Sequence, residues 1–270
     1  MNKEYLKDYK FDDKNKIWKK KDFSGIIYND GDDNENKIFN IIKESYDLSS
    51  TSDELQEKTN DWVSNYHLSF LRANIVRPFS KIINDEILEL GSGCGAITRF
   101  LGESANYVLG VEGSFRRACI ARERTRDLEN IDIVCDELDC LKINKKFDTV
   151  VMIGVLEYSN IYNNDHDPFV KNLKIAKKYL KKGGSLILAI ENQLGLKYFA
   201  GANEDHIGKP MYGIENRYKK NEPQTFGKII LEKKLKAAGF LHNKFHAAFP
   251  DYKFTSTLIS EKALKNNLFN

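Results

Sequence analysis

The sequence predicts an α/β fold: a doubly wound, mostly parallel sheet with an antiparallel C-terminal hairpin and a helical N-terminal lead-in. Three observations carry this. Short apolar runs alternate with helical patterns between residues 87 and 190, a glycine-rich turn follows the first of these runs, and two strand-like runs near the end leave no room for a helix between them. Alternation at this spacing places parallel strands beneath helices on both faces. Neighbouring strands without a crossover pair antiparallel.

The lead-in, residues 1–80, begins polar, with Phe11, Ile17, Trp18 and Phe23 as scattered anchors. Ile38, Phe39, Ile41, Ile42 and Tyr46 then recur at helical spacing. Ser52 before Asp53-Glu54-Leu55 reads as a helix cap, and Leu68, Leu71, Ile75 and Val76 form a third helical pattern ending at Arg77-Pro78. The main domain, residues 81–264, opens with the strand Ile87–Leu90 and a helix from Ala96 to Glu103. A strand at Tyr107–Val111, a helix at Ser114–Leu128 and strands at Ile131–Val134 and Phe147–Val155 follow. Asp167-Pro168 starts a helix with proline where its missing N–H costs nothing. That helix is expected to stop at Lys181-Lys182-Gly183-Gly184, before a strand at Ser185–Ile190. Residues 192–223 lack periodicity, Thr225–Ala238 is helical, and Phe240–Phe249 with Phe254–Ser260 form the hairpin around Pro250-Asp251.

Composition excludes several classes. The net charge of +3 leaves no large basic surplus, so a nucleic-acid partner is not expected. The Lys19–Lys21 run is answered by Asp22 and Asp30–Asp33 and reads as solvated surface. Cys94, Cys119, Cys135 and Cys140 include no C-x-x-C pair and read as reduced thiols, Cys94 as filler of the glycine loop. No apolar run reaches the roughly 18 residues of a membrane span. The start MNKEYLKDYK lacks the apolar core of a signal peptide, so the expected location is the cytoplasm.

Gly91, Gly93 and Gly95 lie between a strand and a helix, where open α/β sheets bind ligands. With Ala96 the run also satisfies a dinucleotide signature. Charge separates the two ligand classes. Glu89, two residues ahead, would repel a pyrophosphate but attract the ammonium of S-adenosylmethionine; a capping carboxylate is the plainer alternative. Glu112, 21 residues after Gly91, is placed to accept from ribose hydroxyls, and Asp136, after the third strand, from an adenine amine.

The runs ELGSGCG, VEGS and FDTVVMIGVLEY, with the terminal hairpin as the antiparallel seventh strand, resemble the successive motifs of class I S-adenosylmethionine-dependent methyltransferases over residues 85–260. The resemblance implies a Rossmann-like seven-stranded sheet, S-adenosylmethionine as cofactor and S-adenosylhomocysteine as product. It places Glu89, Gly91, Gly93 and Gly95 on the cofactor loop, Glu112 at the ribose, Asp136 at the adenine, and Ile153 with Gly154 beside the methionine part. A narrower resemblance, carried by IIYNDGDDNENKIFNII, DWVSNYHLSFLRANIVRPF, GCGAITRFLGE, VEGSFRRACIARER and AIENQLGLKYFAGANEDHIG, is to methyltransferase domains associated with glycosyltransferases in bacterial surface-polysaccharide enzymes. It implies a glycan acceptor and a glycosyltransferase partner, and leaves open whether the chain stands alone or is one domain of a fused enzyme. A small metabolite, a protein acceptor and a non-catalytic assembly module remain the alternatives. Tyr66, His67 and Arg72 then lie in a lead-in that closes over the cofactor, with packing as a second role for Tyr66 and His67.

Methylating a sugar hydroxyl calls for a base beside it. Candidates follow the fourth and fifth strands: Glu157 and Tyr158, then Glu191 and Asn192, then Glu204-Asp205-His206. His206 is the preferred base, with Glu191 and Asp205 as catalytic partners, because histidine titrates near neutrality. A metal on the consecutive trio Glu204-Asp205-His206 is not expected, since adjacent residues rarely converge on one ion. The 192–223 segment is the expected substrate lid, its Tyr198, Phe199, Tyr212 and Tyr218 either stacking on a sugar or packing the lid down.

Overall fold

The structure, a computed structural model, describes residues 3–20, 23, 25–26, 30–162 and 165–266. Lys21 and Asp22 of the basic run, and Ile27 to Asn29 of the first polysaccharide-type segment, lie outside these residues.

The chain runs β1 (Lys10–Asp12), β2 (Ile17–Lys19), α1 (Asp32–Glu44), α2 (Asp53–Glu57), α3 (Trp62–Leu68), β3 (Glu86–Leu90), α4 (Ala96–Ser104), β4 (Tyr107–Glu112), α5 (Phe115–Arg124), β5 (Ile131–Cys135) and β6 (Phe147–Ile153). It continues with α6 (Ser159–Tyr162), α7 (Pro168–Lys178), β7 (Leu180–Ala189), α8 (Leu196–Phe199), α9 (Lys228–Ala237), β8 (His246–Phe249), β9 (Thr257–Ser260) and α10 (Glu261–Leu264). Two 3₁₀ stretches, Phe70–Ile75 and Arg77–Ile82, link α3 to β3. The main sheet has seven strands in the order β1-β2-β5-β4-β3-β6-β7, all neighbours parallel except β1 and β2. The order steps outward from β3 to β5, then returns to β6 beside β3, so the loops after β3, β4 and β6 open around one crevice.

The apolar runs explain the strands. β4 and β5 are buried at every residue, as strands covered on both faces must be. On one face Leu6, Tyr9, α7 and α9 pack over Leu88, Leu109 and Met152. On the other, α4, α5 and the 3₁₀ stretches pack over Ile87, Val108 and Val151. A third cluster joins Ile38 and Ile42 of α1, Leu55 and Leu68 to Ile120 of α5 and to Cys94. The thiol of Cys94 is therefore a piece of core, and burial pushes its pKa up, which makes it inert. Helix starts follow the sequence: Ser52 caps α2, Ser114 caps α5, and Asp167 caps α7 with Pro168 in the first turn.

Three expectations change. The C-terminal hairpin forms as β8 and β9 but pairs only with itself; Ala248 and Leu258 pack onto the cluster containing Ile153, Ile187 and Ala189, so the hairpin covers a face instead of extending the edge. The seven strands are completed from the lead-in, where β2 pairs parallel to β5. Residues 1–80 thus hold two strands as well as helices. Finally, α7 stops at Lys178, and Lys181 to Gly184 already belong to β7. Leu180 pairs with Phe147 of β6, the register slips before Thr149, and Gly183 takes the slip at φ 83°. Strand pairing overrides a lysine-glycine run that reads locally as a helix end.

Gly95 caps α4 at φ 86°, and a Cβ there would sit 2.9 Å from the Ala121 Cα of α5. Gly95→Ala should destabilise the fold by about 1–3 kcal/mol, measured as a lowered urea midpoint with an unchanged slope; an unaltered midpoint would show that α4 and α5 can part freely.

Candidate active site

The ends of β3, β4, β5 and β6 each deliver a group to one cavity. β3 brings Glu89 and the Gly91–Gly93 turn, β4 brings Glu112, β5 brings Asp136, and β6 brings Ile153 and Gly154. The lead-in closes the cavity with Tyr66, His67 and Arg72. Ten of the eleven residues expected at a cofactor therefore line one space. The exception is Gly95, which is spent on helix packing instead. Gly91, at φ 81°, lets the turn pass Val155, whose Cγ2 lies 2.3 Å from the place a Cβ would occupy.

Two ionisable groups in this cavity each keep one buried atom without a hydrogen-bond partner. Glu89 is 3% exposed, and its Oε2 has no hydrogen bond; burial pushes its carboxyl up to about 8. Arg72 is 5% exposed, and its Nε is likewise unpartnered. Its Nη1 donates to the Lys253 carbonyl at 3.0 Å, and its guanidinium lies 4.1 Å over the Tyr66 ring, which itself stacks on Trp62. Glu112 accepts from the Gly93 N–H at 2.7 Å and from the Ser114 N–H at 2.9 Å, so this acid pins the glycine turn.

Asp136 lines the cavity, yet its carboxylate is largely engaged. Oδ2 takes the Tyr9 hydroxyl and the Lys20 ammonium, both at 2.6 Å, and Oδ1 takes the Glu137 N–H at 3.0 Å. That weakens its expected role at an adenine amine, and it removes Lys20 from the solvated surface predicted for the basic run. The lead-in is tied down by a second buried network that the sequence reading missed. His67 Nε2 contacts Asp30 at 2.8 Å, and Arg117 donates to Asp30 and Glu35 at 2.7 Å each. Burial holds the His67 imidazole below its usual pKa, and its bond to Asp30 makes its role architectural. Arg117 also lines the cavity; a helix from Ser114 was visible in the sequence, but the acidic partners of Arg117 some 80 residues earlier were not.

The acceptor-side candidates lie behind Tyr158, which lines the cavity and meets the His206 ring edge-on at 5.4 Å. His206 Nδ1 is 3.2 Å from Glu204 Oε1, and Nε2 is 3.8 Å from Glu191 Oε1. Burial disfavours the charge on His206, but Glu204, Glu191 and Glu157 outweigh it and raise the pKa. The carboxylate beside His206 is thus Glu204, not Asp205, which accepts from Tyr198 and pairs with Lys197 at 2.8 Å. Glu157 is fully buried; desolvation and the neighbouring Glu191 push it up to about 8. Lys253, from the β8–β9 loop, donates to Glu191 at 2.5 Å, and Tyr252 donates to Glu157 at 3.3 Å. Nothing in the local pattern flagged these two, because only the hairpin's docking brings them in. In the 192–223 segment, Tyr198 and Tyr212 are buried, the Tyr212 and Tyr218 hydroxyls bond to Glu222 and Thr225, and Phe199 is exposed. Packing is the use of the three tyrosines.

Residues 88–186 match a family model described as a methyltransferase domain. A demethylmenaquinone methyltransferase of Tropheryma whipplei is 30% identical over 158 residues, 56% of this chain and 56% of that protein. An rRNA adenine N-6-methyltransferase of Bacillus licheniformis is 26% identical over 142 residues, 47% of this chain and 49% of that protein. The chain thus spans about half the length of the curated relatives it matches. Among solved structures, the N-methyltransferase NodS of Bradyrhizobium japonicum WM9 aligns with a TM-score of 0.50 over 70% of this chain and 91% of that one, at 16% identity. Residues 88–186 thus match a methyltransferase domain, within a Rossmann-like α/β fold that the chain shares with that structure. Among the described residues no helix is long and apolar enough to cross a membrane.

Replacing Arg117 by Leu leaves Glu35, 1% exposed, with only the longer 3.9 Å contact to Arg116. The loss should be about 3–5 kcal/mol, read by chemical denaturation; a change below about 1 kcal/mol would mean the network contributes no more than a surface pair.

Proposed function

We propose that this chain is an S-adenosylmethionine-dependent methyltransferase whose acceptor is a hydroxyl of a sugar or glycan of a bacterial surface polysaccharide. One observation supports the cofactor above all others: the cavity presents a buried carboxylate oxygen of Glu89 and a buried guanidinium nitrogen of Arg72, both without partners. An unpartnered carboxyl oxygen and an unpartnered guanidinium nitrogen in one cavity suit an amino acid moiety, whose ammonium and carboxylate need those two groups. A dinucleotide pyrophosphate would find Glu89 repulsive. Glu112 then serves the ribose and Ile153 the methionine part, Tyr66 and Arg72 form one wall, and residues 1–80 act as the cover. His67 holds that cover in place.

When bound, S-adenosylmethionine supplies a methyl group already activated by its sulfonium. The chain's own work is to align the acceptor oxygen, exclude water and draw off its proton. We assign that work to the cluster behind Tyr158, with His206 and Glu191 at its centre, Glu204 orienting His206, Asp205 fastening the lid, and residues 192–223 as that lid. The cluster's polarity favours a hydroxylated acceptor over an apolar one such as a quinone. Support for the polysaccharide comes from the sequence resemblance, and a glycosyltransferase partner rests on the same basis. The four unpaired cysteines are in keeping with action in the cytoplasm.

Glu89 provides a test of the cofactor assignment. At pH 7 the free protein holds a proton there, and the cofactor's ammonium favours the ionised form. Binding of S-adenosylhomocysteine should therefore release close to one proton at pH 7, and affinity should climb as pH rises toward about 8. Calorimetry in buffers of different ionisation enthalpy measures the release. Glu89→Gln should abolish it and weaken binding roughly 10- to 100-fold. Proton release undiminished in the variant would assign the proton elsewhere.

The acceptor is tested with labelled S-adenosylmethionine against nucleotide sugars and surface glycans. Label should enter a glycan hydroxyl, and His206→Ala should cut turnover by about 10² or more while S-adenosylhomocysteine affinity stays nearly constant. Transfer to other metabolites but to no sugar would overturn the glycan assignment.

A further inference from the structure

We infer that Glu157, Glu191 and His206 hold a divalent transition-metal ion on the acceptor side of the cavity. The inference deepens the reading of this cluster as the acceptor site and rests on it. The three residues come from separate stretches, after β6, after β7 and within the lid, and their ligand atoms all lie within 4.8 Å of one another. Three chain segments converge here, as the consecutive trio Glu204-Asp205-His206 could not.

Independent observations point to a ligand. Oε2 of Glu157 and Oε2 of Glu191 are both buried without a hydrogen-bond partner, although the two residues are 0% and 4% exposed. Their other oxygens are already taken, by the Tyr252 hydroxyl and the Lys253 ammonium. On His206, Nδ1 faces Glu204 Oε1 at 3.2 Å, while Glu204 Oε2 accepts the backbone N–H groups of His206 and Ile207 at 2.8 and 2.6 Å. A carboxylate gripping one ring nitrogen so that the other is offered is the arrangement that accompanies metal-bound histidine.

Two carboxylate oxygens and an imidazole suit divalent transition ions better than the all-oxygen shell that magnesium prefers. Coordination positions beyond these three would be left for oxygens of the acceptor. Such an ion lowers the pKa of a bound hydroxyl, which makes the chemical class of acceptor one with an ionisable oxygen. His206 is then a ligand, and its loss removes the ion.

The full chain, stripped with a chelator, is titrated with Mn²⁺ and the free ion is followed by electron paramagnetic resonance. One saturable site per chain is expected. The double variant Glu157→Gln/Glu191→Gln should lose it while still binding S-adenosylhomocysteine, which shows that it folds. Glu204→Gln should weaken it about 10- to 100-fold, and Co²⁺ bound to the native chain should show an optical spectrum that changes in His206→Ala. Absence of saturable Mn²⁺ binding, or binding undiminished in the double variant, overturns the inference. Loss of Mn²⁺ in the variants together with methyl transfer to a non-sugar acceptor upholds the ion site and overturns only the glycan reading.

Discussion

Four carboxylates are buried at the carboxyl ends of the parallel strands, and most of the architecture serves to make that tolerable. Glu89 and Glu112 close β3 and β4, while Glu157 and Glu191 follow β6 and β7. Each would cost several kcal/mol to bury as an uncompensated anion. The molecule answers each one differently. Backbone N–H groups of Gly93 and Ser114 hold Glu112, the Lys253 ammonium reaches Glu191, and Glu89 and Glu157 are driven toward the neutral form. A row of acids with incomplete compensation is the electrostatic signature of a surface made to receive positive charge.

The compensating groups come from the two ends of the chain. From the N-terminal side, Tyr9 and Lys20 satisfy Asp136, and the Asp30–His67–Arg117–Glu35 network clamps the helical cover onto α5. From the C-terminal side, the β8–β9 loop sends Lys253 to Glu191 and Tyr252 to Glu157, and offers its Lys253 carbonyl to Arg72. The hairpin and the cover therefore meet above the cavity.

The same geometry divides the cavity by charge. Glu89 and Arg72 line the cavity itself, while a cluster of carboxylates, a histidine and an ammonium lies behind the Tyr158 ring. Gly154, at φ 68°, sits at the boundary, where the Tyr252 hydroxyl would lie 2.7 Å from an added Cβ. Any side chain there would separate the two halves of the site.

How much of this was legible in the sequence follows from the range of the forces involved. The order of strands and helices, the glycine turn, the helix starts at Ser52 and Asp167, and the acids at Glu89, Glu112 and Asp136 are local patterns, set by periodicity and backbone geometry within a few residues. Pairings between distant segments were decided by tertiary structure alone. β2 joining β5, Lys181–Gly184 entering β7, Gly95 spent on Ala121, Lys20 reaching Asp136, Glu204 replacing Asp205 beside His206, and Lys253 arriving at Glu191 depend on which surfaces meet. A buried charge must find a partner wherever the chain brings one within about 3 Å. Sequence spacing records where the charge is, and the fold chooses what answers it.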